Sequence, residues 1–164
     1  MTETSYHQFC PVAMAAEVLG SRWTLVLLRE LCSGSTRFND LRRGVPRMSP
    51  ALLSKRLKEL EAAGILHRVR VQRQPEVHEY RLTEAGEDLM PVIVAVGTWG
   101  QRWIAAEPSL ENADPGLLMW DMRRPLRPEP LPPRRVVIQF VFEDQPAARR
   151  DWWLLVAPGE PVDL

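Results

Sequence analysis

The sequence predicts a mainly α-helical fold that ends in a β-hairpin and is followed by a second β-hairpin as a C-terminal appendage. Helical spacing of apolar residues recurs in short segments as far as Leu66. Period-two alternation takes over in "HRVRVQ" and "VHEYRL", and it returns at Val136 after a Pro-rich stretch.

The helices are read in order. "PVAMAAEVLG" is Ala-rich and stops at Gly20, a residue type that ends helices. "SRWTLVLLRELCSG" follows, with Ser21 as the predicted N-cap and Trp23, Val26, Leu27 and Leu31 on one stripe. "RFNDLRRGV" supplies a short helix with Phe38 and Leu41 inward. The next helix opens on Ser49 at the N-cap and Pro50 at the first helical position, where a missing N–H costs nothing, and closes at Gly64. Leu53, Leu57 and Leu60 share one of its faces and demand a core, while Ala51, Lys55, Lys58 and Ala62 fall opposite.

The first hairpin joins its strands through "RQPE", a turn-type connection. Val69 and Val71 face one side, and Arg68, Arg70 and Gln72 the other. Thr83 then caps "EAGEDLMPVIVAVGTWGQRWIAAE", a long apolar-rich helix that Pro91 should kink or shorten by its first turn. Its stripe of Leu89, Ile93, Val96, Trp99 and Trp103 exceeds what the edge of a small domain needs, so part of it is expected to be an interface, with Trp99 and Trp103 packing between protomers rather than lining a ligand pocket.

Net charge is zero, yet residues 20–82 carry thirteen Lys and Arg against six Asp and Glu, leaving eight against fifteen elsewhere. A +7 segment beside a −7 remainder points to nucleic acid or a membrane surface. The apolar fraction of 45% and charged fraction of 26% are those of a folded soluble chain. "MTETSYHQFC" lacks the basic start and apolar run of a signal peptide, and no later run approaches the roughly 20 apolar residues of a membrane span. The expectation is a cytoplasmic protein with no membrane partner. Cys10 and Cys32 are too few for a disulfide scaffold.

No Gly-rich phosphate loop, nucleophile elbow or helical His-Glu-x-x-His is present, which argues against an enzyme. His7 and Cys10 form a lone His-x-x-Cys pair, short of a zinc site, and no metal or cofactor is expected.

Helix, short helix, helix with a polar outer face, then an Arg-rich ribbon: this order is that of a winged helix-turn-helix. One helix of such a module enters the major groove, while the ribbon follows the backbone or the minor groove. "CPVAMAAEVLGSRWTLVLLREL", "RFNDLRRGVPRMSPALLSKRLKELEAAGIL" and "YRLTEAGEDLMPVI" closely resemble the HxlR family of bacterial transcriptional regulators, over roughly Cys10 to Ile104. The resemblance implies dimeric winged-helix DNA binders that associate through their terminal helices. Carried over residue by residue, it makes Ser49, Ala51, Ser54, Lys55 and Lys58 the groove-facing set. Arg37 and Arg56 become phosphate contacts, and Arg68, Arg70 and Arg73 wing contacts. Cys10, beside the first helix, becomes a candidate sensor of oxidants or electrophiles, and an oxidant or small molecule a candidate effector. The chain departs from the family at the last wing strand: His78-Glu79-Tyr80 stands where Val-Glu-Tyr is usual, with Val77 one position early.

Ten of the fifteen prolines lie at or after Pro108, so the expected domains are 1–107 and 108–164. In the second, Val136, Ile138, Phe140 and Phe142 alternate on one face and Trp152 to Ala157 forms a second strand. Two strands need further cover. The segment resembles the opening of the sterol-carrier-like domain fused behind some HxlR-type regulators, with only its first hairpin present. The hairpin either belongs to a longer chain or packs on its own domain, on a partner or within a dimer. The function expected is a homodimeric transcriptional regulator binding double-stranded operator DNA. The alternative is a module for apolar ligands or protein partners that keeps the winged-helix shape without binding DNA.

Overall fold

The structure, a computed structural model, describes residues 5–72, 74–104, 114–126 and 134–164. The chain divides into two units, Met1–Ala105 and Ala106–Leu164. Arg73 and the expected boundary at residues 107 and 108 lie outside the described residues.

The first unit runs α1 (Pro11–Leu19), α2 (Thr24–Cys32), α3 (Phe38–Gly44), α4 (Pro50–Ala62), β1 (Leu66–Val71), β2 (Gln74–Leu82), α5 (Glu84–Glu87) and α6 (Met90–Trp103). Its core joins Leu27, Leu28 and Leu31 of α2 to Leu41 of α3, Leu53, Leu57 and Leu60 of α4, and Leu66 of β1. This is the winged helix-turn-helix that the residue pattern predicts, with α4 in the recognition position and β1 and β2 as the wing.

Two details of α2 differ from expectation. The helix starts at Thr24, because Trp23 takes a left-handed conformation with φ 78° and Ser21 only accepts the Thr24 N–H through its carbonyl at 3.0 Å. The Trp23 ring packs against the core, which holds a bulky residue in a conformation it rarely adopts. Starting the helix there turns Leu28 inward and leaves Val26 exposed. Glu30, which the apolar stripe does not reveal, is fully buried. Its carboxylate accepts the Ser35 hydroxyl at 2.7 Å and pairs with Arg29 at 3.3 Å.

The hairpin connection is tighter than "RQPE" suggests, since β2 already begins at Gln74. The antiparallel register runs Leu66↔Leu82 to Arg70↔His78, then jumps to Val71↔Gln74. Residues 75–77 therefore bulge from the ladder, and Pro75, which has no N–H to donate, falls where a proline is tolerated. The shift of Val77 noted in the sequence sits at this irregularity.

Thr83 does cap the following segment, accepting the Gly86 N–H at 3.2 Å, and the helix breaks into α5 and α6 with Pro91 in the first turn of α6. Among the described residues no single helix is long and apolar enough to cross a membrane; α1 and α2 together carry comparable apolar length but are bent by 84°.

The second unit contains α7 (Pro115–Met122), β3 (Val136–Val141), α8 (Ala147–Arg150) and β4 (Asp151–Val156). The two strands pair antiparallel from Val136↔Val156 to Val141↔Asp151. Their inner face, with Ile138, Phe140, Trp152 and Leu154, is covered within the unit by Met119 of α7 and by Val162 and Leu164. A bridge between Leu155 and Asp163 folds the last residues back along β4. The cover needed by the hairpin thus comes from a helix that alternation alone did not reveal. Its start signal is the one used by α4: Asp114 at the N-cap accepts the Leu117 N–H at 3.2 Å, and Pro115 follows.

Candidate nucleic-acid interface

Three buried leucines fix the orientation of α4. With Leu53, Leu57 and Leu60 against the core, Ala51, Ser54, Lys55, Lys58 and Ala62 point outward and are exposed. Ser49 is exposed at the N-cap and spends its hydroxyl on the Leu52 N–H at 3.3 Å, so it sets the start of the helix.

Arg56 is the exception among the α4 residues expected to meet DNA. Its side chain is only 16% exposed. It is turned beside the core, where its Nε donates to the Arg22 carbonyl at 3.3 Å and its guanidinium pairs with Glu59. At about 100° per residue the outward residues fall within an arc of roughly 100°, whereas Arg56 lies about 100° beyond Lys55, on the side of Leu60. Lys55 is 68% exposed and lies 3.9 Å from the other oxygen of Glu59.

The wing brings Arg68 beside Ser54 of α4. Arg68 and Arg70 are exposed on β1. Arg37 enters the same surface because the chain before α3 adds to the sheet: Tyr80 N–H donates to the Thr36 carbonyl at 2.8 Å, and Arg37 bridges to Glu79. Arg37 also lies 3.8 Å from the Glu79 carboxylate. A cleft of about 680 Å³ between α3, α4 and the wing is lined by Arg37, Arg43, Ser54, Arg68 and His78, with two carboxylates, Asp40 and Glu76, among them. Arg43 was missed in the sequence because its relation to Arg37 depends on how the α3 helix meets the wing; it pairs loosely with Asp40 at 4.0 Å. An α4 face of small and basic residues, flanked by arginines from two further elements, can approach base edges while holding phosphates.

Away from this surface, α6 contains no buried residue. Leu89 and Ile93 are half-buried against the core of the first unit, so part of the predicted stripe closes the protomer. Val96, Trp99 and Trp103 remain exposed at 45%, 59% and 65%, beside exposed Val92 and Val94 on the same helix. Cys10 is half-buried at the N-cap of α1 and its carbonyl accepts the Met14 N–H at 3.0 Å. The segment before it is tied to α1 through Glu17, which accepts the Ser5 hydroxyl and the Tyr6 N–H, both at 2.8 Å. Those two bonds hold the Glu17 carboxyl below its usual range. Cys32 sits at the end of α2, where burial pushes its thiol up. Among the described residues no group of three His, Cys, Asp or Glu could hold a metal ion.

The profile of the HxlR-like helix-turn-helix family matches residues 18–108. The chain is 36% identical over 104 residues to the HTH-type transcriptional regulator YdeP of Bacillus subtilis, covering 63% of this chain and 81% of that protein. It is 46% identical over 95 residues to the HTH-type transcriptional regulator Rv3095 of Mycobacterium tuberculosis, covering 57% of this chain and 58% of that one. Among solved structures, the redox regulator HypR in its reduced form superposes with a TM-score of 0.53 at 36% identity, over 57% of this chain and 92% of that chain. The reduced form of the transcriptional regulator YodB from B. subtilis superposes with a TM-score of 0.51 at 32% identity, over 62% and 99%.

Proposed function

The chain belongs to the HxlR-like helix-turn-helix family of transcriptional regulators, and we propose that it acts as a cytoplasmic homodimer that places α4 in the major groove of operator DNA and its wing along the backbone. The observation that carries this reading is the outward face of α4, small and basic, anchored by Leu53, Leu57 and Leu60. Ser49, Ala51, Ser54, Lys55 and Lys58 form the groove side, and Arg37, Arg68, Arg70 and Arg73 meet phosphates. Arg56 acts from behind that face. No catalytic role is proposed for any residue.

Dimerisation is assigned to the α6 surface around Val96, Trp99 and Trp103, because large aromatic residues exposed on one helix are costly to leave in water. A two-fold dimer would address half-sites about one helical turn apart. Cys10 is assigned as the point at which an oxidant alters DNA affinity; the similarity to the redox regulator HypR supports this assignment.

Selection of genomic fragments on the immobilised protein tests the reading. The wild type should enrich a two-fold symmetric sequence, and Lys55→Glu, which places a negative charge in the groove, should enrich none. Equal enrichment by both proteins would contradict it.

A further inference from the structure

The outward face of α4 is specific enough in its chemistry to name the bases it reads. Base contacts in a helix-turn-helix come from the N-terminal part of the recognition helix. In α4, "PALLSKRLKELEA", the outward residues of the first two turns are Ala51, Ser54 and Lys55. The helix holds no Asn or Gln, so the paired donor and acceptor that recognise adenine are absent from it. Its one arginine, Arg56, is engaged with the Arg22 carbonyl and Glu59. Two outward donors remain near the start of the helix: the Ser54 hydroxyl, which serves any base, and the Lys55 ammonium, for which guanine, with O6 and N7 side by side, is the best acceptor.

Glu59 gives Lys55 a defined direction. A carboxylate this close to a nucleic-acid surface would repel phosphates if it stood alone, but Arg56 pairs with one oxygen and Lys55 lies 3.9 Å from the other. Because Arg56 bonds the Arg22 carbonyl in the segment before α2, Glu59 is held from one side and offers its other oxygen to the exposed lysine. Ala51, one turn earlier on the same face, presents a bare methyl. Four residues of helix advance about 6 Å, the span of roughly two base steps, and a thymine methyl is the apolar group a base offers there.

Resting on the regulator reading above, we propose that Lys55 selects a guanine in each operator half-site, that Ala51 seats a thymine methyl within two base steps of it, and that Glu59, anchored by Arg56, is the positioning residue for Lys55.

The experiment takes the full chain and the duplex it selects from a random pool, and follows binding by fluorescence anisotropy. Replacing the half-site guanine by 7-deazaguanine, which lacks N7, should weaken wild-type binding by on the order of tenfold. Lys55→Ala should bind the normal and the modified duplex equally. Deoxyuridine in place of the neighbouring thymine should weaken the wild type by a few fold. Glu59→Gln should keep or raise total affinity, since a negative charge is removed, yet narrow the gap between guanine and the other bases; a purely structural role for Glu59 would leave that gap unchanged. Full sensitivity of Lys55→Ala to 7-deazaguanine, or selected half-sites without a guanine, would overturn the proposal while leaving a DNA-binding regulator intact. A wild type that selects no sequence would overturn the regulator reading and the proposal with it.

Discussion

Single residues decide how the recognition helix is held, and two of them are open to direct tests. Gly44 ends α3 against Glu30: a Cβ placed on Gly44 would overlap the buried Glu30 carboxylate. The Arg29 guanidinium reaches both partners, donating to the Gly44 carbonyl at 2.9 Å and to Glu30 at 3.3 Å. Gly44→Ala should therefore force apart α2 and α3 and lower stability by about 1–3 kcal/mol, read as a lower urea midpoint; an unchanged midpoint would show that the packing there can yield. Cys10 is tested in the Cys32→Ser variant, where oxidant treatment should change operator affinity and a reductant should restore it. Unchanged affinity after oxidation removes the sensor assignment. The contrast between these residues shows what can be read without a structure. Cys10 stands out by type and by its place before a helix, whereas the importance of Gly44 arises from a side chain fourteen residues earlier that lies inside an apolar helix. The inward setting of Arg56 is hidden in the sequence for a similar reason: its partner is the carbonyl of Arg22, 34 residues earlier.

At the scale of elements, α1 and α4 were located by a proline at the start and a glycine just past the end, and α3, which has no start signal, by its inward pair Phe38 and Leu41. The helix α7 carried an equally good signal in Asp114 and Pro115, but its apolar residues surround the helix instead of forming a stripe, so periodicity concealed it. The wing register was illegible because alternation does not mark the irregularity, where the pairing jumps from Arg70↔His78 to Val71↔Gln74. The element that most needs a partner is α6. Each protomer exposes Trp99 and Trp103 there, and a buried tryptophan at an interface contributes about 2 kcal/mol or more. Trp99→Glu together with Trp103→Glu should weaken the dimer at least roughly thirtyfold, so sedimentation velocity at micromolar concentration should shift from dimer to monomer. A variant that still sediments as the dimer would place the interface elsewhere.

For the whole molecule, charge separation is the feature that composition hides. The +7 segment at residues 20–82 contains α2 to α4 and both wing strands. The fold brings several of its outward groups together around Ser54: Lys55 and Lys58 on α4, and Arg37, Arg43 and Arg68 from the neighbouring elements, with Arg70 exposed further along β1. A chain with the same net charge but its basic residues scattered would have no reason to bind a polyanion. If Arg37, Arg68, Arg70 and Arg73 meet phosphates as proposed, the proposed dimer would make about eight such contacts, within the range where affinity falls steeply with salt. The most direct measurement is therefore the affinity of the purified protein for its selected operator as salt is raised from about 50 to 200 mM. A thousandfold or greater loss, on the order expected for that many phosphate contacts, is the predicted result. Binding that is absent at low salt, or that does not respond to salt, would contradict a DNA-binding surface built from these residues.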